Sequence, residues 1–312
     1  MKSATAHTLG YWEELYKMTL IVAKNIDGKI QIESDSRITD SNVVKANPLK
    51  GLIKLIIYLP EVSIAYAGDV KFAEEAINTL YKLKPNYLND LVGILMASHQ
   101  KSIGETDFII ATLVKGTCNL IKISSGRIED NLQTAWIGDI DAFELFQKNF
   151  HELKGNEEEN VNIFSEAFKK TIENESLESV GDFQISVLTT DNNSHKVPVF
   201  MYQERMELTS GGTIKQTIPA GESVALSFGN ASNGSFGISY FTATDLYKQA
   251  IGVYFSEGNF GLLFFPMKRL TNIKFPELTA QEFIDKIKKE YGVPMRGFER
   301  MSETSIRLIA SN

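Results

Sequence analysis

The residues most able to do chemistry stand at a strand start. TLIVAKN (19–25) and KIQIESD (29–35) are β-rich runs joined through Asp27-Gly28, a dipeptide that favours a two-residue hairpin. That turn sets a register. Ile26 falls opposite Lys29, Asn25 opposite Ile30 and Leu20 opposite Asp35. Thr19 then begins the first strand opposite Ser36, with Asp35 one residue away. A threonine, a carboxylate and a nearby lysine are the ingredients of an activated hydroxyl nucleophile, which still needs a base. In a chain beginning at Thr19 the free α-amine supplies one, because its reference pKa of about 7.7–8.0 lies close to working pH.

Other chemistries lack their residues. The four histidines, His7, His99, His151 and His195, are scattered and form no HExxH, and Cys118 is the single cysteine. Zinc binding, Cys-cluster metals and an internal disulfide are therefore unsupported, and one cysteine fits a reducing cytoplasm. No GxxxxGK[ST], GxSxG or GxGxxG occurs, so P-loop, nucleophile-elbow and dinucleotide readings fall away, and neither metal nor cofactor is expected. The 312 residues are 43% hydrophobic and 23% charged with a formal charge of -7. Those proportions describe a globular chain rather than a disordered one, and the acidic balance argues against a nucleic-acid coat. No run of eighteen apolar residues is present, so no transmembrane helix is expected.

The elements that must position Thr19 follow from pattern. A second hairpin, LIKLIIYL and VSIAYAG, turns at Pro60-Glu61. Helical spacing then marks Phe72, Ala73, Ala76, Ile77 and Leu80, and after Pro85 the set Leu88, Leu91, Val92, Leu95 and Met96. Strands are expected at 107–114, 118–124 and TAWIG (134–138), and helices along Ala142–Phe150 and Phe164–Ile172. FQISVLTTD and KVPVFMY read as further strands ending at Tyr202. Strands before helices, twice over, suggest stacked layers with helices outside. Beyond Tyr202 the texture changes. GGTIKQTIPAGES and FGNASNGSFG read as loops, QAIGVYF and FGLLFFP as strands of a buried Phe-rich hairpin, and TAQEFIDKIKKEYG as a helix with a Thr279/Glu282 capping box and Gly292 as C-cap. Tyr66 and Trp136 read as core, and Asp139 as a helix N-cap.

TLIVAKNIDGKIQIESDSRIT (19–39) resembles the start of a mature proteasome β-subunit and is similar to the peptidase subunit of the bacterial two-component ATP-dependent protease, as is VKAN (44–47). Both are N-terminal nucleophile hydrolases. The resemblance implies an α+β fold, a four-layer αββα sandwich over residues 19–202, followed by a C-terminal α/β extension over 203–312. It places the catalytic threonine on Thr19, the acidic site residue on Asp35 and a bracing arginine on Arg37. The family lysine falls on Lys54, with Lys50 as the competing position, and the oxyanion-hole glycine on Gly68. Asp139 stands where the family carries a serine in its Gly-Ser-Gly segment. Ser179 falls on a later family serine, and Ser176 replaces the neighbouring aspartate.

The activity so implied is hydrolysis of peptide or other amide bonds by a cytoplasmic homo-oligomer acting on a peptide or protein substrate, with an unfoldase or regulatory partner, no nucleic acid and no membrane. The alternative is a catalytically silent scaffold or partner-binding protein. Met18 precedes Thr19. Either translation starts at Met18 and the initiator is removed, or residues 1–18 are a propeptide. With neither, the α-nitrogen remains an amide and the base is missing.

Overall fold

The computed structural model describes residues 19–37, 51–114, 117–155, 158, 160–174, 176–181, 183–192, 197–210, 213–217, 223–227, 235–256, 258–266, 272–302 and 305–312. Residues 1–18, the VKAN segment and Lys50 lie outside them.

The first sheet runs β10-β9-β2-β1-β8, formed by β1 (Leu20–Ile26), β2 (Lys29–Asp35), β8 (Thr134–Gly138), β9 (Gln184–Asn192) and β10 (Val197–Tyr202). Ile26 pairs with Lys29 and Ile21 with Ser34, the register that the Asp27-Gly28 turn predicts. Both turn residues have positive φ, as a tight hairpin turn of the primed kind demands. The second sheet runs β3-β4-β5-β6-β7 through β3 (Leu55–Leu59), β4 (Val62–Gly68), β5 (Thr106–Val114), β6 (Thr117–Ser124) and β7 (Arg127–Glu129).

Helices cover the outer faces of these sheets through their apolar stripes. Helices α1 (Val70–Leu83) and α2 (Leu88–Lys101) bury Ala73, Ile77, Leu80, Leu91 and Leu95 with Ile56, Ile64, Tyr66 and Phe108 of the second sheet. Helices α3 (Ile140–Lys154) and α4 (Val161–Ile172) bury Phe146, Phe150, Phe164 and Phe168 with Leu20 and Val22 of the first. Trp136 packs on this cluster, stacked on Phe143 at 4.3 Å.

The expected four-layer αββα sandwich with an α/β extension is not what the structure shows. Among the described residues strands dominate, in three antiparallel sheets of five, seven and five strands with a separate two-stranded hairpin, against five helices. The seven-stranded sheet runs β17-β16-β15-β14-β18-β19 through β14 (Ser235–Ala243), β15 (Ile251–Phe255), β16 (Phe260–Phe264), β17 (Asn272–Phe275), β18 (Met295–Ser302) and β19 (Ser305–Ala310), with β11 (Arg205–Ser210) also on β14. Part of the stretch read as loop is the hairpin β12 (Thr213–Thr217) and β13 (Ser223–Ser227). Each run is only five residues long and stands beside Gly- and Ser-containing segments, so a period-2 pattern has little length in which to show, and cross-strand pairing decides the conformation.

Nor is this sheet an appended α/β unit. One face carries Tyr240, Ile251, Val253, Phe255, Leu262 and Phe264 into the central core beside Ile21, Ile32, Ile53 and Ile185. The other face holds α5 (Ala280–Tyr291), whose start carries the Thr279/Glu282 capping box. Phe283 of α5 is buried against Phe241, Tyr254 and Phe275. It sits over Gly252, where a Cβ would stand 2.9 Å from its ring, and over Gly261, where a Cβ would collide with it. No helix among the described residues is long and apolar enough to cross a membrane.

Phe283 is thus the knob that joins α5 to the third sheet. Phe283→Ala is expected to cost about 3–5 kcal/mol of stability, read as a lower urea midpoint at unchanged slope.

Candidate functional site

Thr19 stands immediately before β1, held from behind by the end of β8. Gly138 pairs with Leu20, and the Asp139 N–H donates to the Thr19 carbonyl at 2.7 Å. Gly138 has φ of 106°, and a Cβ there would run into that carbonyl; only glycine allows the approach. Asp139 caps α3, its side chain accepting from the Ala142 N–H at 2.9 Å. The residue in the place of the family serine is therefore engaged in starting a helix.

The Thr19 hydroxyl donates to Asp35 Oδ1 at 2.5 Å and accepts from the Lys54 ammonium. Lys54 Nζ also lies 3.0 Å from Asp35 Oδ1, and the Leu20 N–H donates to the same oxygen at 3.2 Å. Among the described residues, Asp35 Oδ2 has no hydrogen-bond partner. Relative exposures are 1% for Thr19, 0% for Asp35 and 4% for Lys54. Hydroxyl, carboxylate and ammonium therefore form one cluster shut away from water. The ammonium beside the hydroxyl stabilises an alkoxide on Thr19, whereas the carboxylate, a like charge that accepts the hydroxyl's hydrogen bond, opposes one; its part is to hold the ammonium at the hydroxyl.

Of the remaining residues expected at the site, Gly68 ends β4 opposite Thr106. Its φ is 98°, and a Cβ would collide with the Glu105 carbonyl. Asp69 follows as the N-cap of α1. Ser179 lies half-buried in the loop before β9. Arg37 ties that loop to the end of β2, donating to the carbonyls of Val180 at 2.7 Å and Glu178 at 3.2 Å. Ser36 Oγ accepts from the Phe183 N–H at 2.9 Å. Ser176 is exposed and donates to Asn174 Oδ1 at 2.6 Å. The structure thus unites Thr19, Asp35 and Lys54, and joins neither Gly68 nor Ser179 to them by a hydrogen bond among the described residues. No group of three metal-ligating side chains occurs among the described residues.

Sequence reasoning missed a second polar cluster on β2. Gln31 and Glu33 alternate with Ile30 and Ile32, which reads as a solvent face, yet both are fully buried. The Glu33 carboxylate accepts from Gln31 Nε2 at 2.6 Å, Gln184 Nε2 at 2.9 Å and the Ser186 hydroxyl. Arg205 closes the group, donating to Ser186 Oγ at 3.0 Å and to the Gln184 carbonyl at 2.7 Å, while pairing with Glu207 at 3.1 Å. Its guanidinium lies 4.3 Å from the Tyr240 ring centroid. The matching alternation of Gln184 and Ser186 on β9 was the available signal. Burial pushes the Glu33 carboxyl above the usual carboxylate range, against the opposing pull of Arg205 and of the three hydrogen bonds.

No protein-family model and no curated protein matches the chain.

Two outcomes follow. Lys54→Met leaves a buried carboxylate without its cation and is expected to cost about 3–5 kcal/mol. Adding Asp35→Asn should recover much of that loss in urea unfolding at neutral pH. For Glu33, a folded-state pKa above the unfolded value means that its contribution is full below the ordinary carboxylate range and is lost as pH rises through the raised value. Glu33→Gln should flatten that part of the pH–stability curve, with Gln31 or Gln184 turning its free carbonyl oxygen toward the new amide.

Proposed function

We propose that this chain is a threonine-type N-terminal nucleophile hydrolase that cleaves peptide or other amide bonds, with Thr19 as its nucleophile. The observation that supports this reading is the buried hydroxyl–carboxylate–ammonium cluster of Thr19, Asp35 and Lys54 at the start of a central strand. In this reading the Met18–Thr19 bond is first opened, freeing the α-amine. The amine takes the Thr19 hydroxyl proton as Oγ bonds to the substrate carbonyl carbon. Lys54, held by Asp35, stabilises the developing alkoxide charge. The amide C–N bond then breaks, the leaving nitrogen receives the proton, and water hydrolyses the ester on Thr19. Gly68, at the end of β4, is assigned to the oxyanion, and Ser179 is counted with the site as the position of a family serine, as the family resemblance implies. A cytoplasmic homo-oligomer taking peptide substrates, with or without an unfoldase, belongs to the same reading.

One observation favours a second reading, a silent scaffold or partner-binding protein. Thr19 is sealed from solvent, and its nitrogen is bonded to Met18, so a chain that retains this bond has neither base nor access.

Intact mass and N-terminal sequencing of protein purified from its native host distinguish the two. A chain beginning at Thr19 is expected under the hydrolase reading, with Thr19→Ala lowering peptide hydrolysis by at least about a thousandfold. Retention of Met18, or hydrolysis that persists in Thr19→Ala, would remove the assignment.

A further inference from the structure

The C-terminal sheet reaches the segment that carries Lys54. Residues 51–53 lie between two supports. On one side the Leu52 N–H donates to the Ser36 carbonyl at 2.9 Å, and Arg37 bridges Gly51. On the other side Ile53 forms a parallel bridge with Pro266, just beyond β16. Phe264, the last residue of β16, is fully buried with its ring over Gly51, where a Cβ would stand 2.7 Å from Cε1. Phe183 braces that ring at 5.7 Å between centroids and also touches Phe255 at 5.8 Å. Beyond this clamp the Lys54 carbonyl accepts from the Tyr66 N–H at 3.0 Å, entering the second sheet.

Lys54 thus has its backbone fixed on its N-terminal side by residues from the far end of the chain. Its ammonium must reach both Thr19 Oγ and Asp35 Oδ1, so a small shift of the segment breaks one contact or both. We propose that Phe264 and Pro266 are positioning residues, and that residues 203–312 serve to hold Lys54 at the Thr19–Asp35 pair. The catalytic part of this inference rests on the hydrolase reading; the positioning part does not.

Gly51→Ala is the sharpest probe. Gly51 has no positive φ, so its φ suits alanine; the intruding methyl presses hardest on the Phe264 ring at 2.7 Å and also stands 3.3 Å from the Ser36 carbonyl oxygen and Oγ. Gly51→Ala with Phe264→Leu removes the ring edge and restores room. Labelling of Lys54 by acetic anhydride, read by peptide mass spectrometry against the exposed lysines, measures the position of the amine without any assay of activity. At a temperature where all variants remain folded, wild type is expected to be protected, Gly51→Ala to label severalfold faster, and the double variant to return toward wild type. Phe264→Leu alone should give a smaller rise. In protein processed to Thr19, Gly51→Ala should lower kcat by about ten- to a hundredfold with KM little changed, and the second substitution should restore it. Unchanged protection of Lys54 in both Gly51→Ala and Phe264→Leu, or an absence of rescue in the double variant, overturns the proposal. Absence of hydrolysis by the wild type, with the labelling pattern as expected, removes the hydrolase reading and leaves the positioning role in place.

Discussion

A lysine ammonium and an aspartate carboxylate share a site buried from bulk solvent, and much of the architecture follows from keeping them together. Charges of this size are costly to bury alone, and their mutual attraction offsets that cost only when geometry and hydrogen bonds are good. Here Asp35 Oδ1 collects the Lys54 ammonium, the Thr19 hydroxyl and the Leu20 N–H. Three chain segments must therefore end within one hydrogen bond of each other: the start of β1, the end of β2 and the approach to β3. Each has its own restraint. Gly138 and the Asp139 N–H fix the carbonyl of Thr19. Arg37 and Ser36 lash the end of β2 to the loop before β9. The contacts around Gly51 and Ile53 fix the approach to β3.

The Glu33 cluster makes a similar demand two residues earlier on β2. Gln31, Glu33, Gln184 and Ser186 line a polar stripe across β2 and β9, and α4 covers it through the carbonyls of Val161 and Ser165. Arg205 completes the stripe from β11, the first strand beyond β10, and its ring partner Tyr240 belongs to β14. A buried carboxylate surrounded by donors is specific in direction and distance in a way that apolar packing is not. The third sheet is thus joined to the first by polar geometry through Glu33 and Arg205, and by aromatic packing through Phe183, Phe255 and Phe264.

The parts of this arrangement that rest on local rules were legible in the sequence. The Asp27-Gly28 turn gave the β1–β2 register and so the neighbourhood of Thr19 and Asp35. Apolar spacing marked α1 to α4, and the Thr279/Glu282 pair marked the start of α5. What stayed hidden was non-local. Gln31 and Glu33 alternate as a solvated face would, and only a helix and an arginine from elsewhere make that face interior. Beyond Tyr202 the Phe-rich hairpin of β15 and β16 was legible, whereas β11, β18 and β19 are specified by pairing with partners that are in part distant in sequence. Lys54 came from likeness to a family, because no spacing rule connects a lysine before β3 with a threonine before β1. Gly51 and Phe264 are legible only once the two segments are seen in contact.

The bridge between Ile53 and Pro266 spans roughly two hundred positions of the chain. During synthesis, at about 5–20 residues per second, the segment before Lys54 therefore waits roughly 10–40 s for its second support to emerge. Until then the hairpin that carries Thr19 and Asp35 can form, while the lysine strand has only one of its two neighbours. Contacts of such long separation close late in folding because their loops must first be ordered. A chain truncated before β16 would carry every residue of the cluster but lack the Pro266 bridge and the Phe264 ring on the segment before Lys54.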